Sequence, residues 1–342
     1  MSLPVFLLVV FLSAVLLTGF VRIVAIRAKI LDLPTSRSAH VSPTPVGGGV
    51  SIALVTLISI CIFFYNGNIP ANEFLALCSA GLVAGVGLFD DIKKLNIRWR
   101  LPAQLLAAIW SVWWLGNTPS IDIAIFTLNN WFILNVLAIL ALLWLLNLYN
   151  FMDGIDGLAG SELVFVNAFV LMFVISNNDE VIMLIAAALL ASGAGFLFWN
   201  LPPAKIFMGD VGSGFAGFIT GIMALLSMHH GTLTIWTWLL LLGVFITDAT
   251  VTLIIRFRNG EKWYEGHTNH AYQNAARRYR SHGKVTIAVL AINCLWLAPL
   301  AWYTVERPDL GVFICIVGMI PLFLSALRLK AGHLVVTGEG LS

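Results

Sequence analysis

Hydrophobic positions in this chain come in long unbroken blocks, not in the alternation of a half-buried strand or the stripe of a surface helix. Apolar runs of about 17–25 residues are the length of membrane-crossing helices. Eleven such blocks are read, at about 3–22, 47–65, 73–89, 102–116, 131–149, 161–176, 181–199, 213–228, 234–255, 285–304 and 310–328. Residues 117–130 are only moderately apolar and are expected to form an interfacial piece. The expected fold is all-α, a polytopic membrane protein of about 10–11 transmembrane helices in one domain over 1–342. The polar stretches between blocks are short, and the longest runs only from Arg256 to Lys284.

Composition sharpens this. The chain is 59% hydrophobic and 11% charged, against roughly 25% charged in a soluble domain. No nucleic-acid partner is expected. Cys61, Cys78, Cys294 and Cys315 all lie in apolar blocks and form no CxxC, so they read as small buried hydrophobes. No Lys or Arg precedes Arg22, and the first block reads as a retained span, not a signal peptide.

Charge sets an expected orientation. Of the 19 Lys and Arg residues, all but Arg307 fall on one side, in segments 22–46, 90–101, 150–160, 200–212, 256–284 and 328–342. The positive-inside rule makes that side cytoplasmic, with the N-terminus periplasmic and the C-terminus cytoplasmic. Five aspartates fall on the same side: Asp90, Asp91, Asp153, Asp156 and Asp210. Carboxylates at a bilayer are costly and need a reason. Their convergence argues for one composite site that uses a divalent cation and phosphate groups.

Each cluster also has a plain structural reading. Asp90 and Asp91 end the third block, where a carboxylate pair can hold a metal or take a proton. Lys94 is one helical turn beyond Asp90 and is expected to share its face. The pair could equally be an ordinary helix end. Asn150, Asp153 and Asp156 are spaced by three, among Gly154, Gly157 and Gly160, with no base to compensate the charge. A polar turn is the plain alternative. Asp210, in MGDVGSG, opens the eighth block either as an N-cap or as a ligand for Mg²⁺ against a diphosphate. It is no P-loop, since GK[ST] is missing. His267 and His270 precede Arg277, Arg278 and Arg280, in a loop that could meet phosphate or merely anionic lipid. Arg37 and His40 lie in a Pro/Gly-rich stretch ending in Gly47, Gly48 and Gly49, either an anion site or a rigid linker. Lys205 is open in the same way.

Together these segments resemble the polyprenyl-phosphate N-acetylhexosamine-1-phosphate transferases. The matching pieces are RSxHxxPTPxGGG from Arg37, DDxxK from Asp90, NxxDGxDGLA from Asn150, FMGDxGS from Phe207 and HxxH from His267, in that order. The resemblance implies that undecaprenyl phosphate attacks the β-phosphorus of a UDP-N-acetylamino sugar, releasing UMP. It implies Mg²⁺ as cofactor, with Mn²⁺ as a substitute, the bilayer as environment, and pairing into a homodimer. It implies Asp210 with Asp91 as metal ligands and Asp90, Asp91, Asp153, His267 and His270 as catalytic positions. Arg37, His40, Gly48, Lys94, Asn150, Asp156 and Phe207 correspond to substrate positions. The loop HTNHAYQ departs from the consecutive histidines of the peptidoglycan translocase and is similar to the branch that starts O-antigen, lipopolysaccharide or other surface-glycan synthesis at the bacterial inner membrane. Transfer of phospho-MurNAc-pentapeptide is the alternative. A prenyl transferase would want DDxxD, a transporter would put its charges at mid-membrane, and a CDP-alcohol phosphotransferase pattern is absent.

Overall fold

The computed structural model describes residues 2–33, 43–261 and 268–334. It is helical almost throughout. The helices are α1 (Leu3–Arg27), α2 (Gly49–Tyr65), α3 (Ala71–Lys93), α4 (Ile97–Leu115), α5 (Trp131–Met152), α6 (Leu158–Asn177), α7 (Glu180–Asn200), α8 (Gly209–His229), α9 (Ile235–Leu241), α10 (Gly243–Arg258), α11 (Ala271–Tyr279), α12 (His282–Ile292), α13 (Ala298–Glu306) and α14 (Gly311–Arg328). A π-helical turn, Asn293–Leu297, joins α12 to α13, so His282–Glu306 forms one span.

Each of the eleven apolar blocks is helical. Among the described residues, eight helices are by themselves long and apolar enough to cross a membrane. The ninth block is a broken pair, α9 and α10, bent by 78°. The remaining two are α2, at 17 residues, and α4, whose first turn carries Arg98 and Arg100. The 117–130 piece is a hairpin of β1 (Ile121–Asp122) and β2 (Thr127–Leu128), tied to α9 by Trp236 Nε1–H donating to Asp122 O at 3.1 Å. A second small pairing joins Leu31–Asp32 to Thr44–Pro45.

Polar residues mark the helix starts. Asn96, Asn130 and Asp179 accept from the backbone N–H of Arg98, Ile133 and Ile182 and cap α4, α5 and α7. The bundle is built around α8, whose apolar window is 94% buried, against 22% for α1 at the lipid boundary. Small residues let the other helices close on α8. A Cβ on Gly87 of α3 would lie 2.5 Å from Asp210 O, and one on Gly49 of α2 would lie 2.1 Å from Gly212 Cα. The start of α8, with Asp210, is therefore clamped between α2 and α3.

The far end of the bundle is held by a different device. Glu73, near the start of α3, lies about 17 residues and some 25 Å of helix from Asp90. There His230 follows α8, with Nδ1 and Nε2 each 3.0 Å from a carboxylate, of Asp179 and Glu73. Hydrogen bonds donated to Asp179 and then Glu73 raise the His230 pKa to about 10. Burial pushes the Asp179 carboxyl up, but hydrogen bonds from His230, the Thr232 hydroxyl and Ile182 N–H outweigh it and hold Asp179 below its ordinary value. His230 is thus charged when folded, and its contribution is complete below its ordinary value of 6.5 and lost as pH rises toward about 10. His230→Asn is expected to lower the thermal midpoint at pH 6. The gap to the parent should shrink by pH 10, as read from melting curves across that range.

Candidate active site

The site is assembled on the N-terminus of α8. The first turns of a helix leave backbone N–H groups without intrahelical partners. Here Asp91, from the last turns of α3, supplies them: Oδ1 accepts from Asp210 N–H at 2.9 Å and Oδ2 from Val211 N–H at 3.1 Å. The cap is thus a side chain 119 residues distant in sequence. Gly209, with φ +75°, makes the turn possible, and a Cβ there would lie 2.6 Å from Asp91 Oδ2.

Asp210 is held from two sides. Asn150, near the end of α5, donates from Nδ2 to Asp210 Oδ1 at 2.8 Å and to Ser213 Oγ at 3.3 Å. Arg100, from the first turn of α4, places Nη1 2.6 Å from Asp90 Oδ2 and 3.3 Å from Asp210 Oδ2. Asp90 also accepts from Leu95 N–H. One guanidinium therefore ties the DDxxK segment to the MGD segment.

A cavity of about 1750 Å³ opens above this assembly. Asp91, Lys94, Asn150, Asp153, Asp156, Phe207 and Asp210 all line it. The structure thus brings seven of the expected site residues together. Asp153 follows α5 and faces three other carboxylates. Burial, then the charges of Asp210, Asp91 and Asp156, push its carboxyl well above the usual range, against a lowering by Gly209 N–H. Asp156 is fixed by Ala204 N–H, donating to Oδ2 at 3.0 Å, and by His282, whose Nδ1 is 3.2 Å from Oδ1. The turn is completed by Gly157 N–H donating to Asn200 Oδ1 at 3.0 Å. Gly154 sits where a Cβ would lie 2.1 Å from the Tyr272 hydroxyl, which donates to Phe151 O.

Other residues are placed differently from expectation. Lys94 does not continue the α3 face toward Asp90. The helix ends at Lys93, and Lys94 takes a left-handed conformation, φ 48°, that turns it out to the cavity. Asp90 is 4% exposed and stands behind the cavity wall on Arg100. Gly48 is no anion site: its N–H donates to Phe207 O and that of Gly49 to Met208 O, both at 2.9 Å. Those glycines serve packing, since a Cβ on Gly48 would lie 2.7 Å from the Phe196 ring. His270 is 1% exposed and does not line the cavity. It is the N-cap of α11, in a capping box with Gln273, and its Nδ1 is 3.2 Å from Asp248 Oδ1. Asp248, from α10, also accepts from Ala271 and Tyr272 N–H. Arg37, His40 and His267 lie outside the described residues.

Beside Lys94, the basic groups in the cavity are Lys29, Arg277, Arg280 and His282. Arg277 is anchored to Thr268 O and Asn274 Oδ1, and burial lowers its pKa. The cavity is lined by both acidic and basic groups, a mixture that suits a metal-bridged diphosphate.

Among the described residues no three His, Cys, Asp or Glu side chains form a ready-made metal cage. Mg²⁺ needs less, because it keeps waters and is held by one or two carboxylates together with substrate phosphates. The hard oxygen donors of Asp210, Asp91 and Asp153 fit that requirement. Burial and then the neighbouring carboxylate charges disfavour a charged Asp153, a strain of the kind that a bound cation would relieve.

A family model described as glycosyl transferase family 4 matches residues 73–228. That span holds Asp90, Asp91, Arg100, Asn150, Asp153, Asp156 and Asp210. The chain is 27% identical over 291 residues to a probable undecaprenyl-phosphate N-acetylglucosaminyl 1-phosphate transferase of Bacillus subtilis, covering 83% of this chain and 80% of that protein. It is 27% identical over 323 residues to a decaprenyl-phosphate N-acetylglucosaminephosphotransferase of Mycobacterium leprae, covering 83% and 78%. It is 28% identical over 231 residues to a phospho-N-acetylmuramoyl-pentapeptide-transferase of Caldanaerobacter subterraneus, covering 63% and 69%.

Proposed function

Since the chain belongs to the polyprenyl-phosphate N-acetylhexosamine-1-phosphate transferases of glycosyl transferase family 4, we propose that it moves an N-acetylamino-sugar 1-phosphate from a UDP-sugar onto undecaprenyl phosphate. A phosphate oxygen of the lipid attacks the β-phosphorus. The new P–O bond forms as the bond from that phosphorus to the bridging oxygen breaks, and UMP leaves with the bridging oxygen. The product is undecaprenyl-diphospho-sugar, the first membrane intermediate of O-antigen or another surface polysaccharide.

The observation that carries this reading is the assembly at the start of α8. Asp91, Asp210, Asn150 and Arg100 converge there, beneath a cavity wide enough for a sugar nucleotide. Phosphoryl transfer depends on positioning and on charge neutralisation more than on covalent chemistry. Asn150 and Arg100 fix the two oxygens of Asp210, and Asp91 fixes the backbone beneath it. Asp210 with Asp91 would hold Mg²⁺, which when bound neutralises the diphosphate and stabilises the leaving UMP. Lys94, Arg277 and Arg280 add positive charge along the phosphate path. A phosphate monoester has a second pKa near 6, so the lipid nucleophile is largely ionised at neutral pH and alignment matters more than a base. Asp156 and Phe207, at the wall toward segment 200–207, are assigned to the uridine side. The cavity is assigned to the cytoplasmic face of a bacterial inner membrane, where nearly all the Lys and Arg gather.

The test is UMP release by the purified full chain with Mg²⁺ and undecaprenyl phosphate, across UDP-GlcNAc, UDP-GalNAc, UDP-FucNAc, UDP-QuiNAc and UDP-MurNAc-pentapeptide. Release from one of the first four donors is expected. Preference for the pentapeptide donor would replace the surface-glycan assignment with the peptidoglycan one.

A further inference from the structure

Outside the cavity, two cations share one indole at the lipid boundary. Trp199, near the end of α7, donates from Nε1 to Val15 O of α1 at 3.0 Å. Its ring lies against Gly19, where a Cβ would sit 3.0 Å from Cζ2. The Arg22 guanidinium is 5.9 Å from the ring centroid and the Lys205 ammonium is 5.6 Å from it. The Lys205 backbone N–H donates to Trp199 O at 2.8 Å, and the Arg22 side chain donates from Nε–H to Lys205 O at 3.1 Å. Among the described residues neither cation has a carboxylate partner. Arg22 therefore spends its Nε on a neutral carbonyl, and its remaining N–H groups and the Lys205 ammonium are left for an anion.

The surroundings indicate which anion. Neither Arg22 nor Lys205 lines the substrate cavity. On the same helix Leu16, Phe20 and Ile23 are 74%, 62% and 49% exposed, and Phe198, beside Trp199, is 59% exposed. In a chain that spans a bilayer, such apolar surface meets acyl chains. A rigid aromatic platform with two uncompensated cations, bordered by acyl-facing residues, is matched by a headgroup phosphate of an anionic phospholipid. We propose that Arg22, Lys205 and Trp199 form a binding site for an anionic phospholipid headgroup on the outer flank of segment 204–207. The inner flank of that segment carries Ala204, which fixes Asp156, and Phe207, which lines the cavity.

The experiment measures lipid retained by the purified full chain in native mass spectrometry, offering phosphatidylglycerol and phosphatidylcholine in equal amounts. The parent should retain phosphatidylglycerol preferentially. Arg22→Gln with Lys205→Gln should lose that excess, roughly fivefold for each cation removed. Lys205→Gln alone, a change to an exposed side chain, should lose part of it whatever the double variant does to folding. Arg22→Lys should keep most of it, and Lys284→Gln, an exposed cation elsewhere, should change nothing. A double variant that is monodisperse and retains as much phosphatidylglycerol as the parent would overturn the site. A last arm adds undecaprenyl phosphate. If it displaces the lipid whose retention depends on Arg22 and Lys205, the headgroup assignment fails and the pair belongs to the polyprenyl substrate. Continued retention is the expected result.

Discussion

Asp210→Asn is expected to lower turnover by about a thousandfold or more while leaving the protein folded. The side chains are nearly isosteric, and Asn can still accept from Asn150 Nδ2, which lies 2.8 Å from Asp210 Oδ1. Arg100 keeps its 2.6 Å contact with Asp90. The loss of a negative charge at the N-terminus of α8 costs only about 0.3–1 kcal/mol. What disappears is the ionised oxygen that faces the cavity beside Asp91 and Asp153, and with it a principal site for the divalent cation. Turnover against Mg²⁺ concentration, with a melting curve on the same sample, separates the two effects. A variant with near-parental turnover and parental stability would remove Asp210 from the metal-binding role.

Gly49→Ala is the second large effect, and it acts through packing. The added methyl would lie 2.1 Å from Gly212 Cα, 2.6 Å from Gly212 N and 2.9 Å from Met208 O. All three are backbone atoms, so no side chain can swing aside. The segment cannot slide either, because Gly48 and Gly49 N–H bond to Phe207 and Met208 carbonyls. Overpacking of a close-packed core costs about 1–3 kcal/mol and sometimes more. Any relief must move the start of α8, which carries Asp210, so activity should fall together with stability. Gly85→Ala is the control. Gly85 lies in α3 with nothing within 4 Å of its would-be Cβ, and alanine there should be neutral or slightly stabilising. Equal melting midpoints for the two variants would contradict the clamp between α2 and α8.

Much of this was legible in the chain before folding. Block length located the helix of each apolar block, because a membrane-crossing segment satisfies its own backbone and needs about the same length each time, but it missed α11, which lies in the polar stretch from Arg256 to Lys284. Counting charges put the five aspartates on one side, and four of them line one cavity. Contacts between distant segments were not legible. That Asp91 caps α8, or that Arg100 reaches both Asp90 and Asp210, depends on how helices pack, and Arg100 carries no motif of its own. The Lys94 expectation assumed that helical spacing continues past Lys93, whereas the chain turns left-handed there. Gly48 showed the limit of reading a glycine run as an anion cradle, since its N–H was already committed to Phe207 O. For His270 a signal was present. Gln273 stands three residues on, which is the spacing of a capping box, and Asp248 is a lone acid within an apolar block, which calls for a partner.

The most direct measurement follows both products at once. Purified protein is incubated with Mg²⁺ and a UDP-N-acetylamino sugar labelled at the β-phosphate and sugar, with and without undecaprenyl phosphate. Equal amounts of UMP and labelled undecaprenyl-diphospho-sugar are expected when the lipid is present, and neither product without it. UMP that forms without the lipid, or label that never reaches the lipid in folded protein given every donor named above, would contradict the proposed transfer.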